Sequence, residues 1–581
     1  MSTPAAPTFS EITDPIGFEV VKSGLEALAD ELAITIVRTA HSQVVRDNMD
    51  FSTAICDSQG RVVAQGCGIP LHLGAIPDAV GTLISKYAGN INPGDVFILN
   101  DPDEGGMHLP DIFIVKPVFA GSELIGYAAC IAHYAEIGGR VAGGNAVDST
   151  EIFQEGLQIP LLKLFDAGRR DETLIAILLR NVRIPDIVLG DLEAQLAACH
   201  VGEAGLLALA ERYGTEGLAS FMEQLLGYSE QRLRSELAAM PDGKFFFEDF
   251  IDDDGFGSGP IRIALTLTIE GDRLIADFEG TSPQVRSALN ATVSFARAAV
   301  YAGVRCVVSD DIPSNEGFYR PIEVRVPAGT ILNPYRPAPR AARGLTGFRA
   351  CDVVLGALAQ VLPERVPAAG EGGATMLSFG GMYADRSAFV FVDFVTGGWG
   401  GRVSADGVDG TSPLAANVTN IPVEEIELDQ PLRVEQYAFV PDTGGAGTYR
   451  GCLSIVRELR FLEEEGTLQI RSDRRDHLPY GLQGGAPGTP SNNILNPGPG
   501  QRVLPTHVTQ PVTRGDVIRH VTAGGGGYGD PFERDPERVL DDVMNGKLTP
   551  GHALRAYGVA IDGSGLAVDA VGTAEARSRP R

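Results

Sequence analysis

The chain has 581 residues, and 47 Lys and Arg against 75 Asp and Glu give a formal net charge of −28. Its length predicts about two to four domains, and its acidic charge argues against nucleic acid or an anionic membrane surface as a partner. Seven scattered cysteines form no C-x-x-C pair, which predicts reduced thiols in a cytoplasmic protein and argues against a cysteine-based zinc site. The first residues predict no signal peptide, and no apolar run predicts a transmembrane helix.

The N-terminal region predicts a long amphipathic helix followed by a β-hairpin. Asp14-Pro15 opens the helix, which we expect to extend from about Gly17 to Val45 because apolar residues recur near helical spacing. Apolar runs at 51–56 and 61–65 flank a turn and predict the hairpin, with Asp50 at its open end. Alone, Asp50 is more often a turn or capping residue. A helix to about Tyr87 and a strand at 96–99 follow.

The stretch Asn100–His133 predicts a second hairpin with candidate metal ligands at its open end. Runs at 112–119 and 124–132 flank a Gly-containing turn, as in an antiparallel pair. Asp111 then lies opposite or next to His133, and directly opposed residues have Cβ atoms roughly 4.5–5.5 Å apart. With His108 nearby, the two histidines and the carboxylate are typical of a catalytic divalent-metal site. The alternative is that Asp111 ends a turn and His133 is a hydrogen-bonded strand-end histidine.

The remaining elements predict an α+β, multi-domain protein with antiparallel hairpins and sheets and long amphipathic helices. A helical hairpin is expected from Gly190 to about Leu237, broken at Tyr213-Gly214, and from about Pro241 the apolar period changes towards that of strands. Further expected helices lie near 293–308, 343–361 and 536–545, and further strands near 261–267, 274–278, 387–392, 432–440, 452–461 and 517–521. We predict domains at 1–240, 241–369 and 370–560, with a disordered tail at 561–581.

The glycine-rich run 524–529 resembles a phosphate-binding loop only superficially. It lacks the Gly-Lys-Ser/Thr ending and the strand-to-helix setting of a nucleotide loop. We therefore predict a tight structural loop, with contact to an anionic substrate as the alternative. The sequence also has no Gly-x-Ser-x-Gly nucleophile elbow and no dinucleotide fingerprint after a strand.

Ordered motifs along most of the chain resemble the hydantoinase B/oxoprolinase family, the B-type subunits of ATP-dependent hydantoinases and lactamases. The carboxylases for acetone and acetophenone share this subunit type. The stretches with the resemblance are Asp50–Ala54, Asn100–Pro102, Gly105–Asp111, His133, Ile137–Gly139, Glu155–Leu157, Gly190–Gln195, Ile312–Gly317, Gly444–Gly451 and Tyr528–Pro531.

The resemblance implies one divalent metal, Zn, Mn or Fe, with ligands at Asp50, His108, Asp111 and His133. It also implies a partner A-type subunit that uses ATP and Mg to phosphorylate the small-molecule substrate, and hence a hetero-oligomer. The leading expectation is a subunit of a cyclic-amide hydrolase for a hydantoin, N-methylhydantoin, 5-oxoproline or another lactam. The alternatives are a subunit of a ketone carboxylase and a non-catalytic scaffold for the ATPase subunit.

Two departures from the family pattern lie beside the expected metal. Asp103 stands where the family usually has an aromatic residue, and Tyr134-Ala135-Glu136 replaces the usual His-Ala-Asp.

Phosphorylation supplies a leaving group to an otherwise unreactive amide, and metal-bound water has its pKa lowered towards about 7. Glu136 or Asp101 is then the expected general base for that water.

Overall fold

The structure is a computed structural model that describes residues 12, 14–72, 74–563 and 565–578. Its N-terminal part packs helices against a seven-stranded sheet of order β2-β1-β5-β4-β3-β6-β7, in which every neighbouring pair is antiparallel. The elements are α1 Pro15–Thr39, α2 Gln43–Arg46, β1 Phe51–Asp57, β2 Val62–Gln65, α3 Ala75–Lys86, β3 Val96–Leu99, β4 Asp111–Ala120, β5 Glu123–His133, β6 Leu162–Asp166, β7 Arg169–Arg170, α4 Glu172–Arg180, α5 Pro185–Tyr213 and α6 Thr215–Ala238.

The middle part has a four-stranded sheet of order β11-β10-β9-β8, with a parallel pair between β10 and β11. Its strands are β8 Gly243–Ile251, β9 Ile261–Glu270, β10 Arg273–Asp277 and β11 Ile322–Arg325, and its helices are α7 Val293–Arg305, α8 Glu316–Tyr319 and α9 Arg343–Leu358. One buried apolar cluster contains residues from both this part and the N-terminal part. The predicted domain boundaries stay predictions.

The C-terminal part contains two antiparallel sheets whose apolar faces share one buried cluster. Their orders are β13-β12-β16-β19 and β14-β15-β20-β17-β18. The strands are β12 Thr375–Met382, β13 Ala388–Val395, β14 Leu432–Val440, β15 Ser454–Phe461, β16 Glu465–Arg471, β17 Asn492–Leu495, β18 Arg502–Leu504, β19 His507–Thr513 and β20 Val517–Val521, and the helices are α10 Val423–Asp429, α11 Pro536–Met544, α12 Pro550–Tyr557 and α13 Ala570–Ser578. Mixed helices and antiparallel sheets confirm the predicted fold class.

The first helix ends earlier than the sequence predicted. Asp14 caps it by accepting from Gly17 N at 3.0 Å, and Pro15 suits the first turn. The helix stops at Thr39 because the Asp191 carboxylate of α5 accepts from the backbone N–H groups of His41 and Ser42, at 2.8 and 2.9 Å. A separate short helix, α2, then follows where one continuous helix to Val45 was expected.

The tail also differs from its prediction. Residues 561–563 and 565–578 belong to the segment 561–581 that was expected to be disordered, but they include the helix α13, so that prediction is wrong for them. Thr573 Oγ1 accepts from Ala560 N at 3.0 Å, and Arg577 donates to the carbonyl oxygens of Tyr557 and Arg534. These contacts with earlier parts of the chain hold the helix in place. Residues 579–581 lie outside the described residues.

The glycine-rich run 524–529 is a packing element, which confirms the structural loop. Gly526 N donates to Ala369 O at 2.8 Å and Gly527 N donates to Ala486 O at 2.9 Å. A Cβ on Gly526 would lie 2.0 Å from Tyr480 O, so a side chain would displace the neighbouring backbone. Among the described residues, none of the helices combines the length and the apolar character of a transmembrane span.

Candidate metal centre

The open end of the β4–β5 hairpin brings Asp111 and His133 together. The register pairs Asp111 directly with His133, and β1 continues the sheet on the other side of β5. Asp50 precedes β1, and its carbonyl oxygen accepts from His133 N at 3.0 Å. The predicted antiparallel pairing is therefore confirmed, and three candidate ligands lie at one edge of one sheet.

His108, Asp111 and His133 form a compact, fully buried set, hereafter the three-ligand set. One ligand atom from each residue lies within 4.8 Å of the others. His108 Nε2 is 3.0 Å from Asp111 Oδ1, and the centroids of the two imidazole rings are 5.0 Å apart. Two nitrogens and a carboxylate oxygen at this spacing fit a single divalent ion.

The contacts of His108 determine which of its nitrogens can bind a metal. His108 Nδ1 lies 3.2 Å from the carbonyl oxygen of Ala341, an acceptor, so Nδ1 must hold a proton. Burial, followed by the charge of Arg343, lowers the pKa of His108 to about 4, which favours the neutral ring. Nε2 then has a lone pair facing a carboxylate oxygen. Two acceptors in contact fit a cation placed between them, and the Ala341 carbonyl orients the ring as in known metal sites.

His133 supplies the second imidazole. Both of its ring nitrogens are buried and have no hydrogen-bond partner among the described residues. An unpaired buried polar group costs about 1–3 kcal/mol, so a hydrogen-bonded strand-end histidine does not describe this residue. Its ring packs edge-on against Phe394, with centroids 6.0 Å apart. The free nitrogens fit the role of a metal ligand.

Asp111 is held in its charged form by its neighbours. Burial alone would raise its pKa, but Arg343 and His108 hold the pKa of Asp111 well below its usual range. Arg343 Nη2 donates to Asp111 Oδ2, while Oδ1 faces His108. The arginine therefore orients the carboxylate and leaves one oxygen for a metal.

Asp50 lies outside the compact set but lines an inner cavity that His133 also lines. This inner cavity of about 50 Å³ is lined by residues that include Asp50, His72, His133, Arg343, Phe394 and Arg471. Burial and the nearby charge of Asp111 raise the pKa of Asp50 to about 7. Three of the four predicted ligands are thus in direct contact range, and ligation by Asp50 stays a prediction.

The two predicted general bases have other contacts. Glu136 accepts from Gly138 N, Gly143 N and Arg183 Nη1, at 2.6, 3.1 and 2.8 Å, and so holds the loop after β5. Asp101 caps a short turn by accepting from Asp103 N at 2.9 Å, and its other oxygen lies 3.5 Å from Arg336. These contacts favour positioning roles, and the catalytic roles of both residues stay predictions.

Sequence reasoning missed three residues of the inner cavity: His72, Arg343 and Arg471. Burial lowers the pKa of His72 to about 4, and its Nδ1 lies 3.0 Å from Ser52 Oγ. Arg343 and Arg471 come from α9 and β16, more than 200 residues after the hairpin. Local spacing offers no signal for such distant arginines. The sequence clue to His72 was its position just before the helix α3.

Comparisons with known proteins show the family of the chain and agree with its fold. The chain is 34% identical over 574 residues to the caprolactamase subunit beta of Pseudomonas jessenii, covering 95% of this chain and 97% of that protein. The crystal structure of the ATP-dependent caprolactamase from the same organism matches with a TM-score of 0.93 and 31% identity, over 98% of this chain and 100% of the other. The nucleotide-free structure of acetone carboxylase shares the fold, with a TM-score of 0.91 and 21% identity over 97% and 83% of the two chains. Residues 14–531 match the sequence model of hydantoinase B/oxoprolinase, and the chain belongs to this family.

Proposed function

We propose that this chain is the metal-containing subunit of an ATP-dependent hydrolase of cyclic amides, acting on a substrate that a partner A-type subunit has phosphorylated. The substrate class is a hydantoin, N-methylhydantoin, 5-oxoproline or another lactam. The observation that carries the proposal is the three-ligand set, in which His133 has two unpaired buried nitrogens and His108 directs Nε2 at Asp111. The similar subunit beta of caprolactamase supports the lactam class.

The three-ligand set suits zinc, manganese or iron(II), since imidazole and carboxylate bind all three and no thiolate takes part. A divalent ion held by these residues would supply Lewis-acid activation of water and of the substrate. The residues of the chain orient the donors: Ala341 O fixes His108, and Arg343 fixes Asp111. Burial of all three ligands excludes bulk water from this end of the hairpin.

Phosphorylation of the amide oxygen makes the substrate carbon electrophilic enough for water. Conversion of the O-phosphorylated cyclic amide to the products consumes two water molecules. The carbon ends as a carboxylate, the ring nitrogen leaves as an amine, and phosphate and one proton are released. ATP chemistry is assigned to the partner, because the glycine-rich run is used for packing against backbone neighbours.

A second candidate function is a subunit of a ketone carboxylase, which is favoured by the fold shared with acetone carboxylase. Both candidate functions are tested with a complex of this chain and its A-type subunit. The complex is incubated with lactams, hydantoins and ketones, with and without bicarbonate, and assayed for ADP and organic product. We expect ring-opened amino acid without bicarbonate, and loss of product with the His108→Ala chain. Bicarbonate-dependent carboxylation of a ketone would instead establish the second function, and product formation by the His108→Ala complex would contradict the assigned site.

A further inference from the structure

Two arginines face the inner cavity beside the three-ligand set. Arg343 is the first residue of α9 and Arg471 is the last residue of β16. Each is only 4% exposed, and both line the cavity. A Cβ on Gly344 would lie 3.1 Å from Arg471 Nη2, so the Arg471 guanidinium lies against the first turn of α9. Two positively charged side chains are thus buried beside the inner cavity.

The hydrogen bonds of these arginines are incomplete. Arg343 Nη2 donates to Asp111, Arg471 Nη1 donates to Ala341 O at 3.3 Å, and both Nε atoms lack a partner within the described chain. Within the same described segments Arg471 forms no ion pair. The buried Arg457 is different, because it binds the carboxylate of Asp393. The Arg471 guanidinium lies over the Phe394 ring, 5.7 Å from its centroid, so it has an aromatic neighbour and no carboxylate partner. An anion from outside the chain would supply that partner.

The charges around Arg471 support the same conclusion. Asp50 and Asp111 bring at most two negative charges to its surroundings, and Arg343 and Arg471 itself bring two positive charges. A divalent ion on the three-ligand set then leaves an excess of about two positive charges in a buried site. A dianion cancels that excess, and guanidinium groups match tetrahedral oxyanions in bidentate geometry.

The first turn of α9 adds a third source of positive potential. This helix runs for 16 residues, and no side chain caps its N-terminus. Gly344 of the first turn lines the cavity and has no side chain to cover the backbone there. Arg343 N and Leu345 N donate to the carbonyl oxygens of Arg340 and Ala342, each at 3.2 Å, so the positive potential at this end comes mainly from the helix dipole, which favours anions.

We propose that Arg343, Arg471 and the first turn of α9 bind the phosphoryl group of the activated substrate. The inference rests on the proposed function, since it identifies the part of the phosphorylated amide that the cavity recognises. Because Arg343 also holds Asp111, a phosphoryl group at the arginines places the substrate carbon towards the three-ligand set. Inorganic phosphate, the product, binds at the same place.

The test uses inorganic phosphate as the probe and the full-length, metal-loaded chain, with binding measured by isothermal titration calorimetry. We expect one phosphate per chain, competition by sulfate, and no comparable binding of acetate. Arg471→Met should weaken phosphate binding by about tenfold or more, because charge-assisted hydrogen bonds are lost, and Arg471→Lys should recover part of it. Arg433→Met, which removes an exposed arginine of β14, should bind phosphate like the unaltered chain.

Metal content and circular dichroism of each variant separate loss of the fold from loss of the anion site. If Arg471→Met does not fold, the Arg471→Lys chain and sulfate competition on the unaltered chain decide the question. Equal phosphate affinity in both folded Arg471 variants and the unaltered chain would overturn the inference, as would absence of phosphate binding. An inactive complex whose chain still binds phosphate through Arg471 would contradict the proposed hydrolase and leave the anion site standing.

Discussion

At the scale of single residues, the two histidines of the three-ligand set are oriented by different means. A hydrogen bond from Nδ1 to the Ala341 carbonyl fixes the His108 ring, whereas strand pairing and packing against Phe394 place His133. Partners that orient metal ligands commonly change metal affinity by about 10–100-fold when removed. Ala341 acts through its backbone, so side-chain substitution there leaves the oxygen in place.

The predicted role of Asp50 as a metal ligand can be tested by substitution. We expect Asp50→Asn to lower metal affinity by roughly 10–100-fold or more, because a carboxylate facing the cavity is replaced by a neutral amide. The measurement is a competition titration with a chromophoric chelator. Asp47→Asn, close by in the chain and paired with Arg46, is the control and should leave the affinity unchanged. Unchanged affinity in the Asp50 variant would remove it from the site.

His520 provides a test of acid stability away from the candidate site. Burial lowers the pKa of His520 from 6.5 to about 3, and its Nδ1 contacts Asn493 Oδ1 at 2.7 Å. The folded chain favours the neutral ring. This contribution to stability is therefore present above pH 6.5 and is lost as the pH falls towards 3.

Urea unfolding at pH 6.5 and 4.5 measures this contribution to the free energy of unfolding. The unaltered chain should lose about 2 kcal/mol more of its unfolding free energy over this interval than His520→Gln. His200→Gln, at an exposed histidine of α5, should behave like the unaltered chain. An equal pH dependence for His520→Gln and the unaltered chain would show that His520 titrates normally.

At the scale of elements, the glycine-rich segments pack too closely for any side chain. A Cβ on Gly488 would lie 1.8 Å from Gly524 O, whereas a Cβ on Gly227 in α6 would meet nothing within 4 Å. Gly488→Ala should therefore destabilise the protein by about 2 kcal/mol or more. Gly227→Ala should stabilise it by about 0.5–1 kcal/mol, since alanine is the better helix residue. Urea midpoints measure both, and a harmless Gly488→Ala would contradict the close packing.

Elements whose signals are local were predictable from the sequence. The β4–β5 hairpin followed from two apolar runs around a turn, and the break between α5 and α6 followed from Gly214, whose φ is 74°. The end of α1 was not predictable, because Asp191 of a distant helix binds the backbone after it. The same reason applies to α13, whose contacts lie with residues earlier in the chain.

At the scale of the whole molecule, the candidate site joins three parts of the chain. The three-ligand set was predictable because one hairpin and a nearby turn supply it. The arginines were not, since α9 and β16 meet the hairpin only in the folded protein. The two arginines beside the three-ligand set, and the positive charge they bring, could therefore be identified only from the tertiary structure.

The division of labour between subunits makes a prediction for the isolated protein. Purified alone, this chain should show no substrate-dependent ATP hydrolysis, because the proposed activity assigns phosphorylation to an A-type partner. Phosphate release is measured with and without lactams, and then again after the partner is added. Robust lactam-dependent ATP turnover by this chain alone would contradict the assignment.

Binding of a metal by His108, Asp111 and His133 is tested most directly by the metal content of the chain, measured by elemental analysis after loading with zinc, manganese or iron(II) and removal of free ion. We expect about one ion per chain, loss of that ion in His108→Ala with an unchanged circular dichroism spectrum, and full retention in the control His200→Ala. A His108→Ala chain that keeps its full metal content, or an unaltered chain that binds none of the three metals, would contradict the metal site.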